Sequence, residues 1–265
     1  MEHRRHLIEA KRIVIKVGSS SITHEDTGHI SLQKLDHFVR QVSDLKNSGK
    51  EVIVVTSGAQ AVGVSALNLK KRPILLEEKQ AVAAVGQASL MMIYQKLFSE
   101  YNHQVGQVLI TKDVIDNKSR NKNARNTLKA LLRMNVIPIV NENDTVATEE
   151  IEFGDNDRLS ATVALLSDAD LLILLSDIDG LYDKDPKVHE DASIITLVPK
   201  MTDDIYNMAG ASKSKVGTGG MVTKLMAAEM VTAKGIDMII ANSSTPYIIQ
   251  KIKDGDDIGT IFSKQ

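Results

Sequence analysis

Five polar segments of this chain carry residue types that can do chemistry on an anionic substrate. Lys16-Val17-Gly18-Ser19-Ser20 sets a lysine inside an otherwise apolar run. Burying that ammonium is expensive unless it meets a negative partner, and the neighbouring Gly18 lets backbone N–H groups approach an anion. A lysine on an edge strand, reaching solvent, is the alternative. Thr56-Ser57-Gly58-Ala59-Gln60-Ala61-Val62-Gly63 puts small residues between an apolar run and a helix start, an arrangement that aims N–H groups at a ligand. The spacing from Gly58 to Gly63 suggests a phosphate loop, but Val64 stands where that loop needs its lysine. A tight turn with no ligand is the other reading.

Asn141-Glu142-Asn143-Asp144 lines up four amide and carboxylate side chains. They suit a polar ligand such as an ammonium group, or a helix cap. Gly154-Asp155-Asn156-Asp157-Arg158-Leu159-Ser160 offers a cap for the following helix and more acid than a cap needs. Asp157 can orient a lysine by a charge-assisted hydrogen bond. In the last third, Ser176-Asp177 follows an apolar run, and Gly217-Thr218-Gly219-Gly220-Met221-Val222-Thr223-Lys224 enters a helix. Glycines ahead of a helix, with Lys224 in its first turn, suit polyphosphate; a flexible linker is the alternative. Asp177, Asp179, Asp183 and Asp185 suggest a calcium loop, but its glycine is misplaced and no glutamate closes it. The seven histidines show no metal-ligand spacing, and His3 and His6 fall in a stretch expected to fray. No metal-ligand residue is assigned.

Two lysines, glycine turns and an acidic, amide-rich pocket suit transfer of a phosphoryl group to an anionic acceptor. Two like charges about 4 Å apart repel by on the order of 4 kcal/mol at an effective dielectric near 20. Lysines and Mg²⁺ cancel that repulsion and stabilise the moving group. No covalent nucleophile is required.

The elements that must position these groups follow from hydrophobic periodicity. Strands are expected at Arg12–Val17, Val52–Thr56, Val105–Ile110, Val136–Val140, Leu171–Leu175 and Ile236–Ile240, each apolar on both faces, as in parallel strands covered by helices. Helices are expected where Leu32, Leu35, Phe38, Val39, Val42 and Leu45 keep helical spacing, and over Glu77–Tyr101, Ala124–Met134, Asp157–Leu166 and Met221–Lys234. Thr145–Phe153 alternates as a small hairpin would, and Lys184–Pro199 marks a lobe boundary or loop. Strands alternating with helices predict an α/β fold with a mainly parallel sheet. Ligands of such sheets bind at the carboxyl ends of the strands, where four of the five segments lie.

Composition sets the outer limits. The chain has 265 residues, enough for one large domain or two small ones. Net charge is −2, so the basic excess of a nucleic-acid binder is missing, and aromatics at 3% argue against a base-stacking platform. Cysteine is absent, which excludes disulfides and thiol catalysis. Val52–Leu69 is long enough to cross a bilayer but carries Thr56, Ser57, Gln60 and Asn68. The N-terminus has no apolar stretch of a signal peptide. A soluble, cytoplasmic protein with no membrane or nucleic-acid partner is expected.

The segments at 16–20 and 55–59, Ala83-Ala84-Val85-Gly86-Gln87, and those at 141–144, 154–157 and 217–221 together resemble, in order, the motif series of the amino acid kinase family, in its glutamate-phosphorylating branch. The likeness runs from about residue 11 to 262. It implies a three-layer α/β/α sandwich forming a single domain over 1–265. An amino-acid lobe would cover about 1–168 and a nucleotide lobe about 169–265, with no C-terminal PUA domain of the kind many relatives carry. It implies ATP with Mg²⁺, and phosphorylation of the side-chain carboxylate of L-glutamate to L-glutamyl 5-phosphate, opening proline synthesis. Carried over, Lys16 and Lys224 stabilise the transferring phosphoryl group and Asp157 holds both lysines. Ser57, Gly58, Asp144 and Asn156 bind glutamate, with Asp144 facing its ammonium group. Lys16, Gly18, Ser176, Asp177, Thr218, Gly219, Gly220, Met221, Val222, Thr223 and Lys224 contact ATP. Ser176 replaces the threonine common among relatives and keeps the hydroxyl. A homo-oligomer, dimer or tetramer, and feedback inhibition by proline are typical of the family. Other acceptors (acetylglutamate, aspartate, carbamate or a nucleotide) and a catalytically silent sensor on the same fold are the competing readings.

Overall fold

Short β-branched runs become strands and the longer amphipathic stretches become helices in the computed structural model, which describes residues 4–24, 26–146, 156–210 and 220–265. In chain order the helices are α1 (Arg5–Glu9), α2 (Leu32–Asn47), α3 (Ala59–Ala66), α4 (Leu76–Ser99), α5 (Lys118–Arg133), α6 (Asn156–Ser167), α7 (Asp203–Met208), α8 (Met221–Thr232) and α9 (Ile248–Asp254). The strands are β1 (Arg12–Val17), β2 (Glu51–Thr56), β3 (Val105–Ile110), β4 (Ile137–Glu142), β5 (Leu171–Ser176), β6 (Leu181–Tyr182), β7 (Ile194–Ile195), β8 (Leu197–Val198), β9 (Asp237–Asn242) and β10 (Thr260–Phe262). Eight of them belong to one mainly parallel sheet, and β6 pairs with β7 apart from it. The chain is thus the α/β protein that the alternation predicts, a three-layer α/β/α sandwich. It divides into two compact units, Val17–Asn156 and Met1–Lys16 with Asp157–Gln265.

Within Val17–Asn156 the strand order is β3-β4-β2, with β4 parallel to both neighbours. The expectation of strands apolar on both faces holds for β2 and β4 but not for β3. That strand lies at the edge, is buried only at Ile110, and leaves Leu109 exposed. Helix α2 buries Leu35, Phe38, Val39, Val42 and Leu45, the residues whose spacing predicts it, and Ser31 caps it by accepting from the Lys34 N–H. Helix α5 begins at Lys118 rather than Ala124 because Asn117 caps it, accepting from Ser119 and Arg120 N–H. Its first turns are polar and show no apolar period. Helices α3 and α4 cross at backbone contact. A Cβ at Gly63 would sit 2.0 Å from the Val82 carbonyl oxygen, and one at Gly86 would sit 1.7 Å from that of Ala59. Only glycine permits that approach.

In the other unit the order is β1-β5-β9-β10-β8. Strands β5 and β9 run parallel, from Leu171 opposite Asp237 to Ser176 opposite Asn242. Strand β10 is antiparallel to β9 and parallel to β8. Lys184–Pro199, expected as a boundary or loop, contains β7 and β8. The N-terminal stretch is held rather than frayed from residue 4 onward. The guanidinium of Arg4 is buried and donates to the carbonyls of Thr196, Asp256, Ile258 and Gly259. His6 lies 3.1 Å from a carboxylate oxygen of Asp237. Periodicity could not find this anchoring, because one arginine with four carbonyl partners has no repeat. No helix among the described residues is long and apolar enough to cross a membrane.

Candidate active site

In the unit formed by Met1–Lys16 and Asp157–Gln265, one carboxylate gathers two lysines. Lys16 lies near the end of β1, between the fully buried Ile15 and Val17, and is itself 7% exposed. Asp157 is the second residue of α6 and is 0% exposed. The Lys16 Nζ sits 2.7 Å from Asp157 Oδ1, and the Lys224 Nζ, from the first turn of α8, donates to Oδ2 at 2.9 Å. The Thr223 hydroxyl lies 3.2 Å from the same Oδ2 and 2.9 Å from the Gly220 carbonyl oxygen. A buried carboxylate is tolerable only when paired. Two ammonium groups on one carboxylate leave the cluster with a net positive charge, and α8 adds unpaired N–H groups at its start. Gly220 enters that helix at φ 78°, in the region open to glycine. An arrangement of this kind can hold phosphate oxygens.

Ser176, at the end of β5, is buried and donates from Oγ to the Oδ1 of the exposed Asp177 at 3.0 Å. Met221 and Val222 occupy the first turn of α8. Gly154, Asp155, Gly217, Thr218 and Gly219 lie outside the described residues, as does the expected hairpin beyond Val146; Thr145 and Val146 themselves form a turn. Among the described residues no three His, Asp or Glu side chains are grouped to hold a metal ion.

Within Val17–Asn156 a cleft of about 250 Å³ opens at the carboxyl ends of β2 and β4. Ser57, Gly58, Asn141, Glu142, Asp144 and Asn156 line it, with the first residues of α3. Gly58 caps α3 at φ 99°, which a side chain would strain, so the helix presents its first N–H groups to the cleft. Gly18 follows β1 directly, and its carbonyl accepts from the Ser21 N–H.

An amide relay holds the floor of the cleft. Asn156 Nδ2 lies 2.5 Å from the Thr56 carbonyl, 3.0 Å from Ser57 Oγ and 2.8 Å from Asn141 Oδ1. Asn141 Nδ2 in turn donates to Gln87 Oε1 at 2.8 Å. Three acceptors around one NH₂ group fix which way the Asn156 amide faces, and its carbonyl oxygen is left to accept from a ligand. The Gln87 Nε2 is buried with no hydrogen-bond partner among the described residues. Asp144 is pushed up to about 6, first by burial and then by the neighbouring Glu142 carboxylate.

Each described member of the predicted set therefore falls in one of four places: the lysine–aspartate cluster, the start of α8, the Ser176–Asp177 pair at the end of β5, or the cleft and its adjoining turns. Three contributors escape sequence reasoning. Gln87 belongs to a quoted motif without a role there; its signal is an amide on the buried stripe of α4 that runs through Ala83, Leu90 and Tyr94. Arg72 and Pro73 also line the cleft, and no motif in the sequence marks them.

Comparison with known proteins gives the family and the fold. The model of the amino acid kinase family matches residues 11–242. The glutamate 5-kinase of Clostridium perfringens is 51% identical over 263 residues, covering 98% of this chain and 97% of that protein. The glutamate 5-kinase of Enterococcus faecalis is 51% identical over 265 residues, with the same coverage. Among solved structures, the UMP kinase of Bacillus anthracis superposes with a TM-score of 0.66 over 97% of both chains at 15% identity, a likeness of fold.

Proposed function

The chain belongs to the amino acid kinase family, and from that premise we propose that it phosphorylates the side-chain carboxylate of L-glutamate with ATP, as a glutamate 5-kinase opening proline biosynthesis. A carboxylate oxygen attacks the γ-phosphorus, the bond to the β,γ-bridging oxygen breaks, and ADP leaves beside L-glutamyl 5-phosphate. The observation that carries the reaction type is the pair of lysines held on the two oxygens of Asp157. The choice of glutamate rests on the shared name of relatives at 51% identity and on a cleft with an acidic group for an ammonium ion.

In this reading Lys16 and Lys224 offset the charge building on the transferring group, worth the several kcal/mol typical of one preorganised donor, roughly 3–4 each. Asp157 fixes their positions. Asp144 faces the ammonium group, Asn156 and Ser57 supply an acceptor and a hydroxyl, and the Gly58 turn offers N–H groups to the reacting carboxylate. Gly18, Ser176, Asp177 and residues 218–224 contact ATP, whose phosphates carry Mg²⁺ with them. The amino-acid lobe, about 1–168, and the nucleotide lobe, about 169–265, belong to the same reading. So do a cytoplasmic homo-oligomer and proline as its feedback inhibitor.

The test is trapping of the acyl phosphate with hydroxylamine. Protein, Mg-ATP and one acid are incubated together, and hydroxamate is measured for glutamate, acetylglutamate and aspartate. Hydroxamate from glutamate alone is expected. Signal from another acid in its place would replace the substrate, and ATP binding without signal from any acid would turn the reading to a sensor.

A further inference from the structure

Glutamate brings three charges into the cleft, and the residues so far assigned answer two of them. Its ammonium group meets Asp144, and its reacting carboxylate goes to the phosphoryl group. The α-carboxylate has no partner yet. Among the described residues that line the cleft, Arg72 alone is cationic, and it shares the lining with the acidic Glu142 and Asp144. Lys16 and Lys224 are already committed to Asp157. The Arg72 side chain is exposed, where a ligand can reach it, and has no ion-pair or hydrogen-bond partner among the described residues. Pro73 follows it, lines the same cleft, and restricts the backbone of Arg72 to extended conformations. The guanidinium therefore starts from a narrowed range of positions. Its planar fork matches a carboxylate with two parallel hydrogen bonds, which a lysine cannot reproduce.

Resting on the glutamate reading above, we infer that Arg72 is a specificity-determining residue that pairs with the α-carboxylate of the amino-acid substrate. With Asp144 it forms a zwitterion clamp, one charge for each end of the α-amino acid. The clamp selects substrates that carry both groups and leaves the side-chain carboxylate free to react. Acids without the second carboxylate lose the Arg72 half of the clamp.

The decisive probe is isoglutamine, the α-amide of glutamate, which keeps the ammonium group, size and reacting carboxylate and loses only the α charge. KM is measured for both compounds by hydroxamate formation, or as a competitive inhibition constant where turnover is slow. A hydrogen bond to a charged group corresponds to roughly 10–100-fold in affinity. In Arg72→Ala the KM for glutamate should rise by that factor with kcat retained. The constant for isoglutamine should stay within about threefold, so the preference for glutamate collapses; Arg72→Lys should keep part of it. An equal rise for both compounds, or none for either, overturns the assignment, because a residue that merely shapes the loop cannot tell the two apart. Absence of hydroxamate from glutamate with the unmodified protein would instead overturn the reading beneath it.

Discussion

The two polar regions of this protein solve the problem of burying polar groups in opposite ways. Around Asp157 the solution is charge on charge: a fully buried carboxylate with an ammonium group on each oxygen. Around Asn156 it is neutral: an amide relay running through Asn141 to Gln87. The first saturates an anion and keeps a net positive charge for an incoming phosphate. The second turns the donors of Asn156 and Asn141 inward and keeps an acceptor for the ligand, while the ionisable groups Glu142, Asp144 and Arg72 also line the cleft. The ionic cluster is suited to charge that builds up during reaction. The relay is suited to recognition of a ground state. Substitutions in the two regions should therefore separate into kcat and KM effects.

The largest separation is expected at Lys224. Lys224→Ala removes one donor from the cluster and should lower kcat by roughly 10²–10³ while the KM for glutamate changes little. Steady-state kinetics with both substrates varied checks it, and near-normal kcat would end the assignment of the cluster to transition-state stabilisation. Asp144→Ala should behave conversely, raising the KM for glutamate by roughly 10–100-fold and that for ATP far less. The same carboxylate gives a pH signature. It ionises near 6, so it loses its attraction for an ammonium group below that pH. The KM for glutamate should climb as pH falls from 7 to 5, and this climb should vanish in Asp144→Ala.

A smaller effect tests the relay. Gln87→Leu removes the acceptor for Asn141 Nδ2 and frees both amides to turn. The KM for glutamate should rise by about 3–10-fold with kcat nearly kept, on the scale of one neutral hydrogen bond. Gln87→Glu, which keeps the acceptor, should restore most of the affinity. Failure of that rescue would mean that Gln87 only fills space.

How much of this was legible in the sequence depends on whether a feature repeats or stands beside a strand end. Strands β1 and β3 fall at the residues where apolar runs place them, and α2 buries the residues its spacing marks. Lys16 is legible because a cation inside an apolar strand demands a partner, and Asp157 because its segment holds more acid than a helix cap uses. The Arg4 clamp, the edge exposure of β3 and the Asn141–Gln87 bond are not legible. Each joins residues far apart in the chain or depends on sheet order, and no local pattern encodes either. Arg72 lies outside every segment that the sequence singles out, so no motif marks it.

The smallest expected effect concerns stability, and it has the opposite sign to the effect on binding. The Asp144 carboxyl ionises near 6 in the folded protein against an ordinary value of 3.8. Between those values the folded state holds more protons than the unfolded one, so stability falls as pH rises through the window and stays lower above it. Asp144→Asn cannot ionise and removes that penalty. At pH 7.5, without substrate, it should raise stability by on the order of 1–2 kcal/mol, or about 2–6 °C in Tm. At pH 4 the gain should vanish, because the native carboxyl is then protonated as well. Adding glutamate at pH 7.5 should reverse the order of the two proteins, since only the unsubstituted one gains the ammonium pair. Thermal melts at the two pH values, with and without glutamate, check all three statements. A variant no more stable at pH 7.5 than at pH 4, relative to the parent, would show that Asp144 is not held at a cost. The cleft would then lack the stored electrostatic tension that sets it apart from the cluster around Asp157, where the buried carboxylate is paired on both oxygens.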